Sequence, residues 1–156
     1  MITSVLFVCL GNICRSPLAD GITRHYVQQM GLDIEVDSCG TGDWHIGEAP
    51  CANSILVARN HAIDISMLRA RQIRYQDLRS FDLIIALDSS NYQDLQKMGA
   101  TSLYKLGDFG FDGADVPDPY FFEGFSGFEE VYNMIDTAVQ NLLKAIQSGA
   151  LDENSK

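Results

Sequence analysis

Two short runs constrain this chain more than anything else in it. "SVLFVCL" (4–10) is apolar from Val5 to Leu10, and "DLIIALD" (82–88) is apolar from Leu83 to Leu87. Successive side chains of a strand point to opposite faces, so a run without alternation needs cover on both sides. The segments around the two runs read as helices. Residues 17–30 follow a first-turn Pro17 and stop at Gly31, a favourable pair of ends. Residues 50–62 and 89–98 read as further helices, the second closed by Gly99, and 75–81 as a short helical turn. "DIEVDS" (33–38) alternates, with Ile34 and Val36 on one side, and "SLYKL" (102–106) has the length of an edge strand. A turn-rich stretch from 107 to 127 precedes the longest helix, where Val131, Ile135, Val139, Leu142, Leu143 and Ile146 make one stripe. Strands alternating with helices predict an α/β fold, a parallel sheet with helices on both faces. Sites in such folds lie outside the carboxyl ends of the strands. With 156 residues the chain has the material for one domain, expected over 1–150 with a polar tail at 151–156.

Charge narrows the function. Eleven basic residues against twenty-one acidic ones give a formal net charge of −10, which argues against a nucleic-acid partner. An anion site in this chain must therefore work through local groups. Arg59, Arg69, Arg71, Arg74 and Arg79 are five of the eleven basic residues, and read as a solvated face or a docking patch. No apolar stretch approaches the ~20 residues of a membrane span, and the first residues lack a secretory pattern, so a cytoplasmic location is expected. The four cysteines then read as thiols rather than a disulfide framework. Their spacing does not match a structural zinc site.

"CLGNICRS" (9–16) leaves the first buried run and leads into Pro17. Gly11 and Asn12 tolerate left-handed backbone angles, and a turn of mixed handedness gathers N–H groups into an anion nest. The following helix adds its positive end, and Arg15 can close a fork on two phosphate oxygens. The same field favours the thiolate of Cys9, and Ser16 is placed to hydrogen-bond the sulfur. Leu10, Gly11, Asn12, Ile13, Cys14, Arg15 and Ser16 together make a phosphate loop with Cys9 at its base. Expelling an alkoxide or phenoxide from phosphorus also calls for an acid on the far side. "VPDPY" (116–120) offers Asp118, held extended between Pro117 and Pro119. No Lys or Arg lies between Phe109 and Leu143 to hold that carboxyl ionised.

"VCLGNICRSP" with a distant "DPY" resembles the low-molecular-weight protein tyrosine phosphatase family. "DSCGT" followed by Trp44, "NHAI", "RARQI", "FDLIIALDSSN" and "VPDPY…GFEEVY" fall in that family's order, so the likeness covers nearly the whole chain. The resemblance implies a single-domain three-layer α/β/α fold on a four-stranded parallel sheet, with the phosphate-binding loop after the first strand. It implies that Cys9 forms a phosphocysteine intermediate, that Arg15 and the loop amides hold phosphate, and that Asn12 shapes the loop. Asp118 becomes the general acid and then the general base. Phosphotyrosine proteins become the substrates of an expected monomer, with no metal or other cofactor, no nucleic acid and no membrane. Trp44 and Tyr120 match the walls of the family's cleft, and Ile13 presents an apolar surface to a phenyl ring. Cys14 matches a loop cysteine able to pair with Cys9 on oxidation; a small packing residue is the alternative.

Other members of the fold shape the alternatives. Relatives that resemble protein-arginine phosphatases carry threonine at the position of Ile13. Arsenate reductases of the same fold need two further cysteines, absent from "IIALDSSNYQDL". A module that binds phosphoryl groups without hydrolysis is the third reading. The chain departs from the family's usual pattern at Cys51 and Ala52, and at Leu68, where several relatives have a loop-supporting histidine. Ser38 and Asp88 read as supports of the loop, and His25, His45 and His61 as structural or surface residues.

Overall fold

Every residue of β1, Ser4–Cys9, is buried in the computed structural model, which describes residues 1–119 and 125–152. The reason is cover on both sides. Val5, Phe7 and Cys9 face one cluster with Leu18, Ile22, Val57, Ile135 and Leu142, while Leu6 and Val8 face another with Ile73, Ile84 and Leu95. The sheet is parallel, in the order β2-β1-β3-β4, with β2 at Glu35–Gly40, β3 at Leu83–Ala86 and β4 at Leu103–Lys105. Helices α1 (Arg15–Met30), α2 (Ala52–Asn60) and α5 (Ser126–Gln147) cover the first face. The short α3 (Asp77–Ser80) and α4 (Ser89–Met98) lie toward the second, through Leu78, Tyr92 and Leu95. The three-layer α/β/α expectation stands. The predicted stripe of α5 is buried along its whole length.

Local chemistry explains the ends of the elements. Gly31 closes α1 with φ 65° and Gly99 closes α4 with φ 98°, both left-handed and both giving N–H groups to the last turn. Asp88 caps α4 by accepting from Asn91 N–H at 2.8 Å. Helix α1 begins at Arg15, two residues before Pro17, because the loop's last turn is already wound when it reaches the proline. Strand β2 runs on to Gly40, beyond the alternating stretch. A further parallel bridge joins Gly40 to Gln72 and draws the 71–73 segment against the loop end of the sheet.

The strand order turns at β1, whose neighbours are β2 and β3. The crevice at a switch of this kind is where α/β sheets place ligands. Near the chain's end Leu151 packs on the core and Asp152 lies 3.9 Å from the N-terminal amine.

Candidate active site

Residues 9–16 wrap around the sulfur of Cys9. Asn12 adopts φ 58°, the left-handed geometry that asparagine tolerates better than most side chains, and this turns its backbone N–H onto Cys9 Sγ at 3.2 Å. Ser16 Oγ lies 2.9 Å from the same sulfur. Asn12 Nδ2 donates to Ser16 Oγ at 2.7 Å and to Ser38 Oγ at 3.1 Å, while its Oδ1 accepts from the backbone of Arg71 at 3.1 Å. Ser38 in turn donates to Asp20 at 2.9 Å, and Asp20 pairs with Arg24. Burial pushes the Asp20 carboxyl above its ordinary range, against the opposing hydrogen bonds from Arg24 and Ser38. A buried chain of polar groups thus runs from α1 and β2 to the sulfur.

Close backbone approach makes room for this. A Cβ on Gly40 would lie 2.7 Å from the Leu10 carbonyl oxygen and 3.1 Å from the Gly11 carbonyl carbon. Only glycine lets the end of β2 pass so near the loop, where Gly42 N–H also donates to Leu10 O at 2.9 Å.

Arg15 is buried. Its Nη1 donates to Asp88 Oδ2 at 2.7 Å and to the Val116 carbonyl at 3.0 Å. Burial alone would lower its pKa, but the Cys9 sulfur, Asp88 and Asp118 act together to raise it. Among the described residues only Nη1 is engaged in hydrogen bonds, which leaves Nε and Nη2 to present a fork to an oxyanion. Val116 is held a second time, donating its N–H to Leu87 O just past β3 at 2.8 Å. Two anchors therefore bring the turn-rich segment across the end of the sheet, and Asp118 reaches the cleft two residues later.

The cleft has a volume of about 170 Å³ and is lined by Cys9, Leu10, Gly11, Ile13, Cys14, Arg15, Trp44, His45 and Asp118. The structure brings the two distant motifs into one cavity. Trp44 is 67% exposed and stands at the cleft rather than in the core. Tyr120 lies outside the described residues, as do Phe121 and Phe122.

These residues arrive from the ends of β1 and β2, the start of α1 and the loop beyond β4. A thiol, a loop of backbone amides, a guanidinium and a carboxyl share one opening. The chain belongs to the low-molecular-weight phosphotyrosine protein phosphatase family. The family model of that description matches residues 4–151. The chain is 43% identical to the low molecular weight protein-tyrosine-phosphatase YfkJ of Bacillus subtilis, covering 92% of this chain and 96% of that protein. It is 38% identical to the low molecular weight phosphotyrosine protein phosphatase of Schizosaccharomyces pombe, covering 91% and 96%. The crystal structure of YfkJ superposes with a TM-score of 0.87 at 42% identity over 95% of this chain and 96% of that one. A Drosophila arginine phosphatase superposes with a TM-score of 0.86 at 32% identity, covering 94% and 98%.

Family membership frames what sequence reasoning missed. His45 lines the cleft, 2.9 Å from Glu48; its place beside Trp44 was the available signal. Arg71 is no solvated cation, since it bridges Asp37 and Asp77 while its backbone holds Asn12. Leu68 packs on the core. His61 stacks on Tyr132 with ring centroids 3.9 Å apart and meets Glu129 at 3.1 Å. Arg15, distant in the chain, stands electrostatically close to Asp118.

Proposed function

We propose that the protein is a phosphotyrosine phosphatase working through a phosphocysteine on Cys9, with Asp118 as general acid and base. The carrying observation is that Cys9, Arg15 and Asp118 line one cleft of about 170 Å³. Cys9 thiolate attacks phosphorus while the loop amides and Arg15 take the equatorial oxygens. The bond to the tyrosyl oxygen breaks, and Asp118 gives that oxygen its proton. Asp118 then takes a proton from water, whose oxygen displaces the sulfur and releases phosphate. Ser16, 2.9 Å from the sulfur, stabilises Cys9 each time it leaves as thiolate. Trp44 and Ile13 offer the departing ring apolar contact. Residues 1–150 are the catalytic domain of a monomer that acts on cytoplasmic phosphotyrosine proteins. No helix among the described residues is long and apolar enough to cross a membrane.

The test compares phosphotyrosine, phosphoserine and phosphoarginine peptides with wild type, Cys9→Ser and Asp118→Ala. Tyrosine-selective turnover is expected, abolished in the first variant and reduced about 10²–10⁴-fold in the second. A trapped protein adduct of one phosphoryl group in wild type, missing from Cys9→Ser, places the intermediate on sulfur. The likeness to an arginine phosphatase makes the third peptide the sharpest alternative, and its preferential hydrolysis would replace this reading.

A further inference from the structure

Cys14 and Cys51 are brought together from opposite sides of the loop. Cys14 Sγ donates to Cys51 Sγ at 2.8 Å, although 37 residues separate them. Their backbones are tied as well, by Cys51 N–H to the Ile13 carbonyl at 2.8 Å and by Ser54 Oγ to the Cys14 carbonyl at 3.1 Å. Ser54 Oγ also lies 3.0 Å from Cys51 Sγ. Cys14 is the N-cap of α1 and Cys51 the N-cap of α2, so two positive helix ends converge on the pair. A disulfide at ~2.05 Å needs the sulfurs to approach by less than about 1 Å. Cys14 also shares the cleft with Cys9, so it can meet either partner.

We propose that Cys51 is a resolving thiol, which carries oxidation off the nucleophile so that it ends as a Cys14–Cys51 disulfide. The oxidant is a hydroperoxide. Cys9 thiolate attacks its terminal oxygen, the O–O bond breaks, and Cys9 becomes a sulfenic acid as the alkoxide, or hydroxide from hydrogen peroxide, leaves. Cys14 sulfur attacks the Cys9 sulfur, the S–O bond breaks, and the second oxygen leaves as water. Cys51 thiolate then attacks Cys14 Sγ and expels Cys9 as a thiolate. With hydrogen peroxide, the thiols of Cys14 and Cys51 lose two electrons and two protons in all, and one peroxide becomes two waters. The leaving group of the last step is the thiolate that Ser16 and the Asn12 amide already hydrogen-bond, which speeds that exchange. Cys51 is half-buried, open enough for an external thiol to reset the pair. The first step rests on the reading of Cys9 as the reactive thiolate; the pairing of Cys14 with Cys51 does not.

Disulfide mapping decides the matter. Reduced protein is treated with hydrogen peroxide, alkylated with iodoacetamide, and digested without reductant for mass spectrometry. Wild type is expected to show Cys14 linked to Cys51 and Cys9 alkylated. Cys51→Ala and Cys51→Ser, checked for unchanged Tm and basal turnover, are expected to show Cys9 linked to Cys14 instead. Alkylation of Cys9 after peroxide then falls about tenfold relative to wild type, as the exchange partner is lost. A Cys9–Cys14 link in wild type with Cys51 alkylated would overturn the proposal, as would sulfinic acid at Cys9 with no disulfide. A Cys14–Cys51 link forming equally fast in Cys9→Ser would overturn the route through the nucleophile. Phosphotyrosine turnover by the reduced protein, measured alongside, reports on the phosphatase reading alone.

Discussion

The loop that carries Cys9 and the loop that delivers Asp118 are built on different plans. Residues 9–16 are braced from within: Asn12 alone makes hydrogen bonds to Cys9, Ser16, Ser38 and Arg71. Asp118 owes its place to remote partners. Val116 is held by Leu87 at the end of β3 and by Arg15 at the start of α1. Further back, Gly107 lets the segment cross itself, since a Cβ there would lie 1.8 Å from the Ala114 carbonyl oxygen. The difference suits the tasks proposed for the two loops. A phosphoryl cradle must have its donors oriented before charge develops, and short-range bonds do that best. An acid needs only to reach the leaving oxygen, so two anchors on rigid elements suffice. Arg15 joins the plans, belonging to one loop and steadying the other through the Val116 carbonyl.

That shared dependence makes Arg15→Lys, with Asp118→Ala, the most damaging change after loss of Cys9 itself. A lysine keeps the charge but cannot supply the fork and hold Asp88 and Val116 together. Turnover of phosphotyrosine peptide is expected to fall about 10³-fold, and a smaller loss would show that the cradle's amides carry most of the charge. Next comes Gly40→Ala, which pushes on the Leu10 and Gly11 backbone from outside. Turnover should fall about 10²-fold, with about 1–3 kcal/mol of lost stability by denaturant titration. If both hold at wild-type values, the loop yields more readily than its bracing implies.

Asp88→Asn separates the two plans more finely. Asparagine is as good an N-cap as aspartate, so α4 keeps its start while Arg15 loses its charged anchor. Turnover is expected to fall about tenfold, the ~1.4 kcal/mol scale of one charge-assisted hydrogen bond, with Tm nearly unchanged. The smallest effect on rate is expected from Asp77→Asn. Burial, the largest single influence, opposes ionisation of Asp77, but the hydrogen bonds and charges of Arg71 and Arg74 together outweigh it and hold the carboxyl below its usual range. A lowered native pKa adds stability above the unfolded value of ~3.9 that is lost as pH falls below it. The variant should therefore show a flatter acid limb of stability below about pH 5, with turnover within about threefold, as expected away from the reacting atoms. An unchanged acid limb would remove Asp77 from the support of the 71–73 segment.

Much of this was legible because it is local. Apolar runs at Val5–Leu10 and Leu83–Leu87 declare two-sided burial, and Gly31 and Gly99 mark helix ends by a backbone geometry other residues resist. "CLGNICRS" states its own chemistry, since nucleophile, turn residues and cation all lie within one loop. His45, Arg71 and Gly40 were harder to read. Their roles arise from parallel register and from a bridge between Gly40 and Gln72, and neither leaves a mark at fixed spacing.

Cysteine placement separates the two kinds of information most clearly. The proposed role of Cys9 comes from its neighbours in the chain, because a thiol contiguous with an anion loop shares one set of amides with it. That Cys14 faces Cys51 was decided by packing alone, where the loop's end, the start of α1 and the start of α2 meet. Sequence by itself determined the layers and the loop, since periodicity and turn chemistry act over a few residues. Tertiary structure decided which distant groups share a cavity, because contact between them depends on how the helices seat against the sheet.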